Sequence, residues 1–197
     1  SLPHRQQERA LYERYLDSLK RYNLTDEKDK LSYSIFEYEL NMKLEAQQFK
    51  NYLRPLSQMS DFRIQFAQMG SGNGVHPFKT VKDYDDFLKR ADGFVAVTDT
   101  VISNLRKGIA VKMLQPKPNM LKVIGQLKTV ITSDVTASMF YKPVNNFPAD
   151  FSQADRDRLT KAYADAISSR INPAYQRLLN FLENEYLQHA TETVGLS

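Results

Sequence analysis

The residue types that usually carry catalysis are sparse in this chain and form no complete catalytic pattern. Its three histidines, His4, His76 and His189, do not stand four residues from one another, so the zinc-binding motif H-E-x-x-H does not occur. His189 and Glu192 form H-x-x-E on one predicted helix face, but two ligands do not make a zinc site, and we interpret His189 as a surface residue. The chain has no cysteine, which excludes disulfides, thiolate metal sites and cysteine nucleophiles.

Carboxylate and serine patterns do not indicate a reaction centre either. Glu37 and Glu39 are two residues apart, as are Glu183 and Glu185. This spacing directs the two side chains to different faces of a helix, which is poor geometry for paired acid–base catalysis. The nucleophile signature G-x-S-x-G is absent.

Two further patterns resemble ligand sites, and for each a structural role is the better interpretation. The glycine cluster G-S-G-N-G-V-H-P, residues 70–77, follows no predicted strand and precedes no Lys-Ser/Thr, so we predict a flexible linker and not a phosphate-binding loop. Asp83, Asp85 and Asp86 follow the predicted helix cap Thr80. Negative charge in a first turn compensates the helix dipole, with cation binding as the alternative.

The remaining candidates for ligand binding are Arg106, Lys107 and Gly108. Their competing interpretation is structural, because a glycine suits a turn and basic residues suit the C-terminal end of a helix. A helical enzyme that acts on a small molecule through Arg106, Lys107 and Tyr141 is a further alternative. It would need an enclosed polar pocket in which these groups converge.

Composition favours a folded helical protein. The 197 residues include only 7 glycines, and 11 tyrosines and 11 phenylalanines stand against no tryptophan, which predicts few tight turns and a core of single-ring aromatics. The 27 lysines and arginines and 23 acidic residues are interleaved along the sequence, so nucleic acid is not expected as a partner. No apolar run approaches the roughly 20 residues that span a bilayer, so no transmembrane segment is expected.

Apolar residues recur at helical spacing along most of the chain. The clearest stripe predicts a helix that begins after Thr25 and ends before Pro55; its buried residues would be Leu31, Ile35, Tyr38, Met42, Ala46, Phe49 and Leu53. A later stripe starts after Thr80, with Gly93 expected to end one helix and Lys107-Gly108 to interrupt the next. We predict an all-α fold, an irregular bundle or array of seven to nine helices.

The stretch from Phe151 to Ser197 gives the longest helical signal. Ser152 and Asp155 have the spacing of a capping box, and Gly195 stands where a C-cap glycine belongs. Pro173 interrupts the run at a cost of roughly 3 kcal/mol, so we expect a long helix kinked near Pro173, or alternatively two helices that meet near Ile171–Asn172. The domain prediction is a single helical domain over residues 1–197, with an irregular connector at 136–150.

Several separated blocks carry a family resemblance. The strongest are L-R-K-G-I-A-V-K-M-L-Q-P-K-P-N-M-L-K-V-I-G-Q-L at 105–127 and I-N-P-A-Y-Q-R-L-L-N-F-L-E-N-E-Y-L-Q-H-A-T-E-T-V-G-L at 171–196. F-K-T-V-K-D-Y-D-D-F-L-K-R at 78–90 and L-R-P-L-S-Q-M at 53–59 agree with them in order. Together these blocks resemble the bacterial domain-of-unknown-function family 885.

The resemblance implies more than these residues contain. Members of the family are similar to helical zinc metallopeptidases, are roughly three times longer, and are often exported to the periplasm or anchored by lipid as lipoproteins. Their H-E-x-x-H helix would lie downstream of Ser197, so no catalytic or metal residue is assigned here, and zinc is expected only in the missing C-terminal part. The implied partners are that C-terminal domain and a peptide substrate.

Two hypotheses of function follow. In the first, the chain is a non-catalytic N-terminal helical scaffold or lid beside the substrate cleft of a zinc-dependent peptidase-like protein, and an apolar surface should mark where the catalytic half docks. In the second, it is a stand-alone helical binding module. A closed core with no unpartnered apolar face would favour the second hypothesis.

Overall fold

The computed structural model describes residues 2–192, and the regular elements in that range are helical. Within these residues seven α-helices, α1 to α7, occupy Leu2–Leu19, Glu27–Ala46, Phe62–Gly70, Val81–Ala110, Lys117–Val130, Gln153–Ala166 and Asn172–Phe181. One isolated bridge, between Pro116 and Thr191, is the only extended pairing in the described range. The predicted all-α, multi-helix fold is therefore confirmed.

The chain divides into two compact units, Ser1–Asn51 and Tyr52–Ser197, which are described separately. The prediction of a single domain over residues 1–197 stays a prediction. None of the helices in the described part of either unit combines the length and the apolar character needed to cross a bilayer.

The first unit is a hairpin of α1 and α2. Tyr15 and Phe36 pack edge to face between the two helices, with ring centroids 5.9 Å apart. The Arg5 guanidinium donates to the Gln47 carbonyl at 3.0 Å. Asp26, one residue after the predicted cap Thr25, caps α2 by accepting from the N–H of Lys28 at 2.7 Å.

Helix α2 ends at Ala46, well before Pro55, where the sequence predicted its end. A short 3-10 helix, Asn51–Leu53, follows in the interval. The helix was predicted to be too long because the apolar spacing continues through Phe49 and Leu53. Apolar spacing alone does not show at which residue the backbone leaves the helical conformation.

Stacked aromatic rings form the centre of the second unit. Phe66 of α3 lies with its ring centroid 4.2 Å from that of Phe94 of α4 and 5.4 Å from that of Phe87. Tyr163 of α6 stacks on Phe87 at 5.9 Å, and Tyr175 of α7 lies 4.8 Å from Phe94. Offset and tilted ring pairs of this kind add to the free energy gained from burying the apolar surface.

Helix α4 is the long central element of this unit. Its N-terminus has the predicted capping box: the Asp83 N–H donates to the Thr80 hydroxyl at 3.3 Å, and the Thr80 N–H donates to the Asp83 carboxylate at 2.8 Å. The helix runs without a break through Gly93 and Gly108, so the predicted end and interruption were wrong. Glycine costs an interior helix position only about 1 kcal/mol, which the packing of the buried face outweighs.

The C-terminal stretch contains the predicted interruption near Pro173. Between α6 and α7, residues Ile167–Ile171 widen into a π-helical turn, in which the Asn172 N–H donates to the Ile167 carbonyl five residues earlier. Proline has no N–H and its ring displaces the carbonyl four residues back, so a wider turn just before Pro173 accommodates it. A second π-helical turn, Leu182–Tyr186, follows α7. The predicted Gly195 cap lies outside the described residues.

The two segments predicted as loops have defined contacts. Gly70 ends α3, and a Cβ atom placed there would lie 2.5 Å from both Phe87 and Phe140. His76 is buried, with Nε2 2.9 Å from the Asp83 carbonyl oxygen. The connector at 136–150 contains a 3-10 helix, Met139–Asn145. The flexibility assigned to residues 70–77 stays a prediction.

Candidate functional site

The structure does not bring Arg106, Lys107 and Gly108 together around one pocket. All three lie in the last turns of α4. The Arg106 guanidinium donates to both carboxylate oxygens of Glu185, at 2.8 and 2.7 Å, and lies 5.2 Å from the centre of the Phe181 ring. Lys107 is exposed, whereas Gly108 is buried. The binding role assigned to these residues stays a prediction.

Gly108 allows neighbouring backbone segments to approach α4 closely, because glycine has no Cβ atom. A Cβ atom at this position would lie 2.8 Å from the Leu53 carbonyl oxygen and 3.0 Å from that of Met113. The Gly108 carbonyl also accepts from the Met113 N–H at 2.8 Å. Because both crowding atoms belong to the backbone, they cannot move aside as a flexible side chain would. Tyr141, the third residue of the small-molecule hypothesis, lies in a different element, the 3-10 helix Met139–Asn145.

Arg106 belongs to a row of ion pairs along α4. Charged residues seven positions apart on α4 each pair with a residue of the C-terminal stretch, with nitrogen–oxygen distances of 2.7 to 3.2 Å: Asp85–Arg158, Asp92–Arg170, Asp99–Arg177 and Arg106–Glu185. Exposed pairs contribute about 0–1 kcal/mol each, so the row mainly fixes how the helices align. The period of seven in α4 was visible in the sequence, although its partners were not.

The Arg106–Glu185 ion pair shifts the pKa values of both of its residues. The hydrogen bonds from Arg106, and then its charge, hold the pKa of the Glu185 carboxyl below its ordinary value. The same hydrogen bond raises the pKa of Arg106. Both groups are therefore ionised and engaged with each other at neutral pH, which leaves Arg106 poorly suited to bind a separate anion.

A buried charge pair lies at a second place, which the sequence analysis missed. Asp61 caps α3, and its carboxylate accepts from the N–H groups of Ser57 and Arg63 at 3.0 and 2.9 Å. The Arg63 side chain turns back onto the same carboxylate, with Nε at 3.0 Å and Nη2 at 2.8 Å. The side chains of Arg63 and Asp61 are only 3% and 2% exposed. Asp61 ahead of an apolar helical run was the one available sequence signal.

Arg63 of this pair lines a cleft of about 360 Å³, which we call the Arg63 cleft. Its lining combines uncharged polar and aliphatic side chains, and in the described part of the chain Arg63 is its one charged residue. Arg63 Nη2 donates to the Gln126 side-chain oxygen at 3.4 Å, and the Gln126 amide group donates to the Gln58 carbonyl at 2.9 Å. The volume lies within the range of small-molecule sites.

Tyr175 supports the Arg63 cleft from the core. Its hydroxyl donates to the Arg63 carbonyl at 2.9 Å. Burial raises the pKa of Tyr175 far above its ordinary value, so the phenol remains protonated and acts as a donor. Among residues 2–192 no group of three or more His, Asp or Glu side chains lies together in a way that would hold a metal ion.

An apolar stripe lies exposed on the hairpin of the first unit. Leu31, Ile35, Tyr38 and Met42 occupy one face of α2 and are 61%, 51%, 65% and 45% exposed. The sequence predicted these four residues as a buried stripe, which was wrong; Leu40, on the opposite side of α2, is the buried residue. We call the four residues the hairpin face. The spacing identified an apolar face, and the described residues of the first unit leave that face exposed.

A comparison with protein families gives a match over nearly the whole chain. The family described as "Bacterial protein of unknown function (DUF885)" matches residues 1–195. The chain belongs to this family. A search of curated proteins gives no match. DUF885 membership agrees with the resemblance drawn from the sequence blocks and assigns no activity, so function has to be argued from the surfaces described above.

Proposed function

We propose that this DUF885 chain is a non-catalytic helical scaffold within a larger zinc-peptidase-like protein. In this proposal the hairpin face docks on the catalytic region of the same protein, and the helices of the second unit form one wall of its substrate cleft. Zinc, peptide hydrolysis and export or lipid anchoring would belong to the whole protein, as the family resemblance implies.

The exposure of the hairpin face is the observation that carries this proposal. Leu31, Ile35, Tyr38 and Met42 follow the spacing i, i+4, i+7, i+11, which places them in one continuous line on α2. Burying a large apolar side chain contributes about 1.5–3 kcal/mol, so leaving four of them in water forgoes a substantial gain. Contiguous exposed apolar patches usually mark interaction sites.

A stand-alone binding module is the second candidate. It is favoured by the Arg63 cleft, which lies entirely within Tyr52–Ser197 and has a buried guanidinium in its wall. A module that is complete by itself has no need for an unpartnered apolar line on its first two helices. The hairpin face therefore favours the scaffold proposal over the stand-alone module.

The proposal is tested by assigning zinc and hydrolysis to separate polypeptides. This chain and the polypeptide that its gene encodes beyond Ser197 are purified separately, and each is assayed for bound zinc and for cleavage of a peptide library. We expect zinc and hydrolysis only with the downstream polypeptide, and faster hydrolysis once this chain is added. About one tightly bound zinc per molecule of this chain, or a gene that ends at Ser197, would overturn the proposal.

A further inference from the structure

The Arg63 cleft has an unused donor in its wall. The hydrogen bonds of the Arg63 guanidinium engage Nε and Nη2, with Asp61, Ser57 and Gln126 as acceptors. Within the described part of the chain Nη1 has no acceptor. Nη1 is not among the fully buried side-chain atoms without a partner in the described residues, so it belongs to the 3% of the Arg63 side chain that solvent still reaches. Water is therefore the only available partner of Nη1 in the described structure, and an acceptor oxygen bound in the cleft can take the place of that water.

The charges around Arg63 select an uncharged ligand. Asp61 already lies 2.8 Å from Nη2 and neutralises the guanidinium. A carboxylate ligand would place a second negative charge beside Asp61, and the single Arg63 guanidinium would have to neutralise both. Removing the ligand carboxylate from water would also oppose binding. A neutral carbonyl oxygen can accept from Nη1 without that penalty.

The rest of the lining complements an amide that bears an aliphatic group. The side-chain amides of Gln58 and Gln68 line the cleft and have no hydrogen-bond partner in the described part of the chain. Either of them can accept from a ligand N–H group. Ile64, Val130 and Met139 supply aliphatic surface. One carbonyl, one N–H and one aliphatic side chain are the groups of a single peptide unit.

We propose that the Arg63 cleft is a binding site for a neutral secondary amide with an aliphatic side chain, such as one residue of an uncharged peptide segment. The ligand carbonyl accepts from Arg63 Nη1, and its aliphatic group packs on Ile64, Val130 and Met139. This site lies within the second unit and does not depend on the hairpin face, so it can stand if the scaffold proposal fails.

The test is a titration of the ¹⁵N-labelled chain with each of three probes. Backbone amide chemical shifts measure binding. N-acetyl-L-leucine N-methylamide carries all the required groups, N-acetyl-L-leucine ends in a carboxylate, and N-acetylglycine N-methylamide lacks the aliphatic side chain. We expect the first to cause saturable shifts at residues 58–71 and 126–130, with a dissociation constant on the order of millimolar for a ligand of about 13 non-hydrogen atoms. The other two should bind at least fivefold more weakly.

Two variants and one control variant locate the binding site. Thr129 is an exposed residue that lines the cleft, so Thr129→Trp should fill the cleft and abolish the shifts. Thr100→Trp is the control, because Thr100 is also exposed and makes the same type of hydroxyl-to-backbone bond, on α4. Arg63→Lys keeps the charge beside Asp61 but removes the guanidinium donor, and should weaken binding about tenfold.

Several outcomes would overturn the proposal. They are an absence of saturable shifts, shifts that persist in Thr129→Trp, and equal or tighter binding of the carboxylate probe. Retained binding by Thr100→Trp together with loss in Thr129→Trp would establish the site even if Arg63→Lys fails to fold.

Discussion

Tyr175 donates its hydroxyl hydrogen to the backbone carbonyl of Arg63 at 2.9 Å, although the two residues are 112 positions apart in the sequence. This bond connects α7 to the first turn of α3, where Arg63 and Asp61 form the buried charge pair. The geometry of the Arg63 cleft therefore depends on a contact that forms only when the C-terminal helices have packed.

Removing the Tyr175 hydroxyl tests this dependence. Tyr175→Phe keeps the ring among its aromatic neighbours but leaves the Arg63 carbonyl without that donor, which should lower the free energy of unfolding by about 1–3 kcal/mol. Tyr141→Phe is the control; Tyr141 has no described hydroxyl partner, so the change should stay within about 0.5 kcal/mol. Urea denaturation followed by circular dichroism measures both. Equal effects of the two variants would contradict the assigned role of the bond.

Two glycines of α4 should respond in opposite directions to alanine. A Cβ atom at Gly93 meets nothing within 4 Å, so Gly93→Ala should stabilise the chain by about 0.5–1 kcal/mol through helix propensity. At Gly108 the Cβ atom would lie 2.8 Å from the Leu53 carbonyl oxygen, so Gly108→Ala should destabilise it by about 1–3 kcal/mol. Thermal and urea unfolding of the two variants make the comparison. A stabilising Gly108→Ala would show that this close approach is absent.

The Arg106–Glu185 pair predicts a pH-dependent contribution to stability. Because the folded-state pKa of Glu185 is lowered from 4.5, its stabilising effect is fully present above that value and is lost as pH falls through the lowered pKa. Arg106→Gln should therefore destabilise the chain at pH 7 and have progressively less effect as the solution is acidified below pH 4.5.

Carboxyl ¹³C chemical shifts measure the same pair directly. In Arg106→Gln the pKa of Glu185 should rise towards its ordinary value. Lys107→Gln is the control, since Lys107 is an adjacent exposed cation without a described partner, and it should leave that pKa unchanged. An equal rise in both variants would mean that general charge, and not the hydrogen-bonded pair, lowers the pKa.

The sequence predicted the helices and their caps much better than it predicted which residues contact each other between helices. Thr80 with Asp83 and Ser152 with Asp155 are local signals, and both cap helices as predicted. The interruption before Pro173 was also predictable, because a proline constrains the backbone wherever it stands. The breaks predicted at Gly93 and Gly108 were wrong because helix propensity is a weak effect, which tertiary packing overrides.

The candidate sites depend on contacts that local patterns do not contain. Arg106 was predicted as a binding residue, and that role stays a prediction; its partner Glu185 is 79 positions later, and no spacing rule connects them. The apolar stripe of α2 has the right period, yet period alone does not say whether the stripe meets the same unit or another partner. The Arg63 cleft was missed because Arg63 and its partner Asp61 look like ordinary surface residues in the sequence.

The central claim, that the hairpin face docks on the catalytic region, is tested most directly by association of the two polypeptides. Isothermal titration calorimetry compares this chain with Ile35→Lys/Tyr38→Lys, which charges the hairpin face, and with Ser34→Lys/Asn41→Lys, which adds the same charge at exposed positions beside it. We predict a 1:1 complex that the first double variant weakens at least a hundredfold and the second leaves nearly unchanged. An absence of binding, or equal binding by both double variants, would contradict the claim.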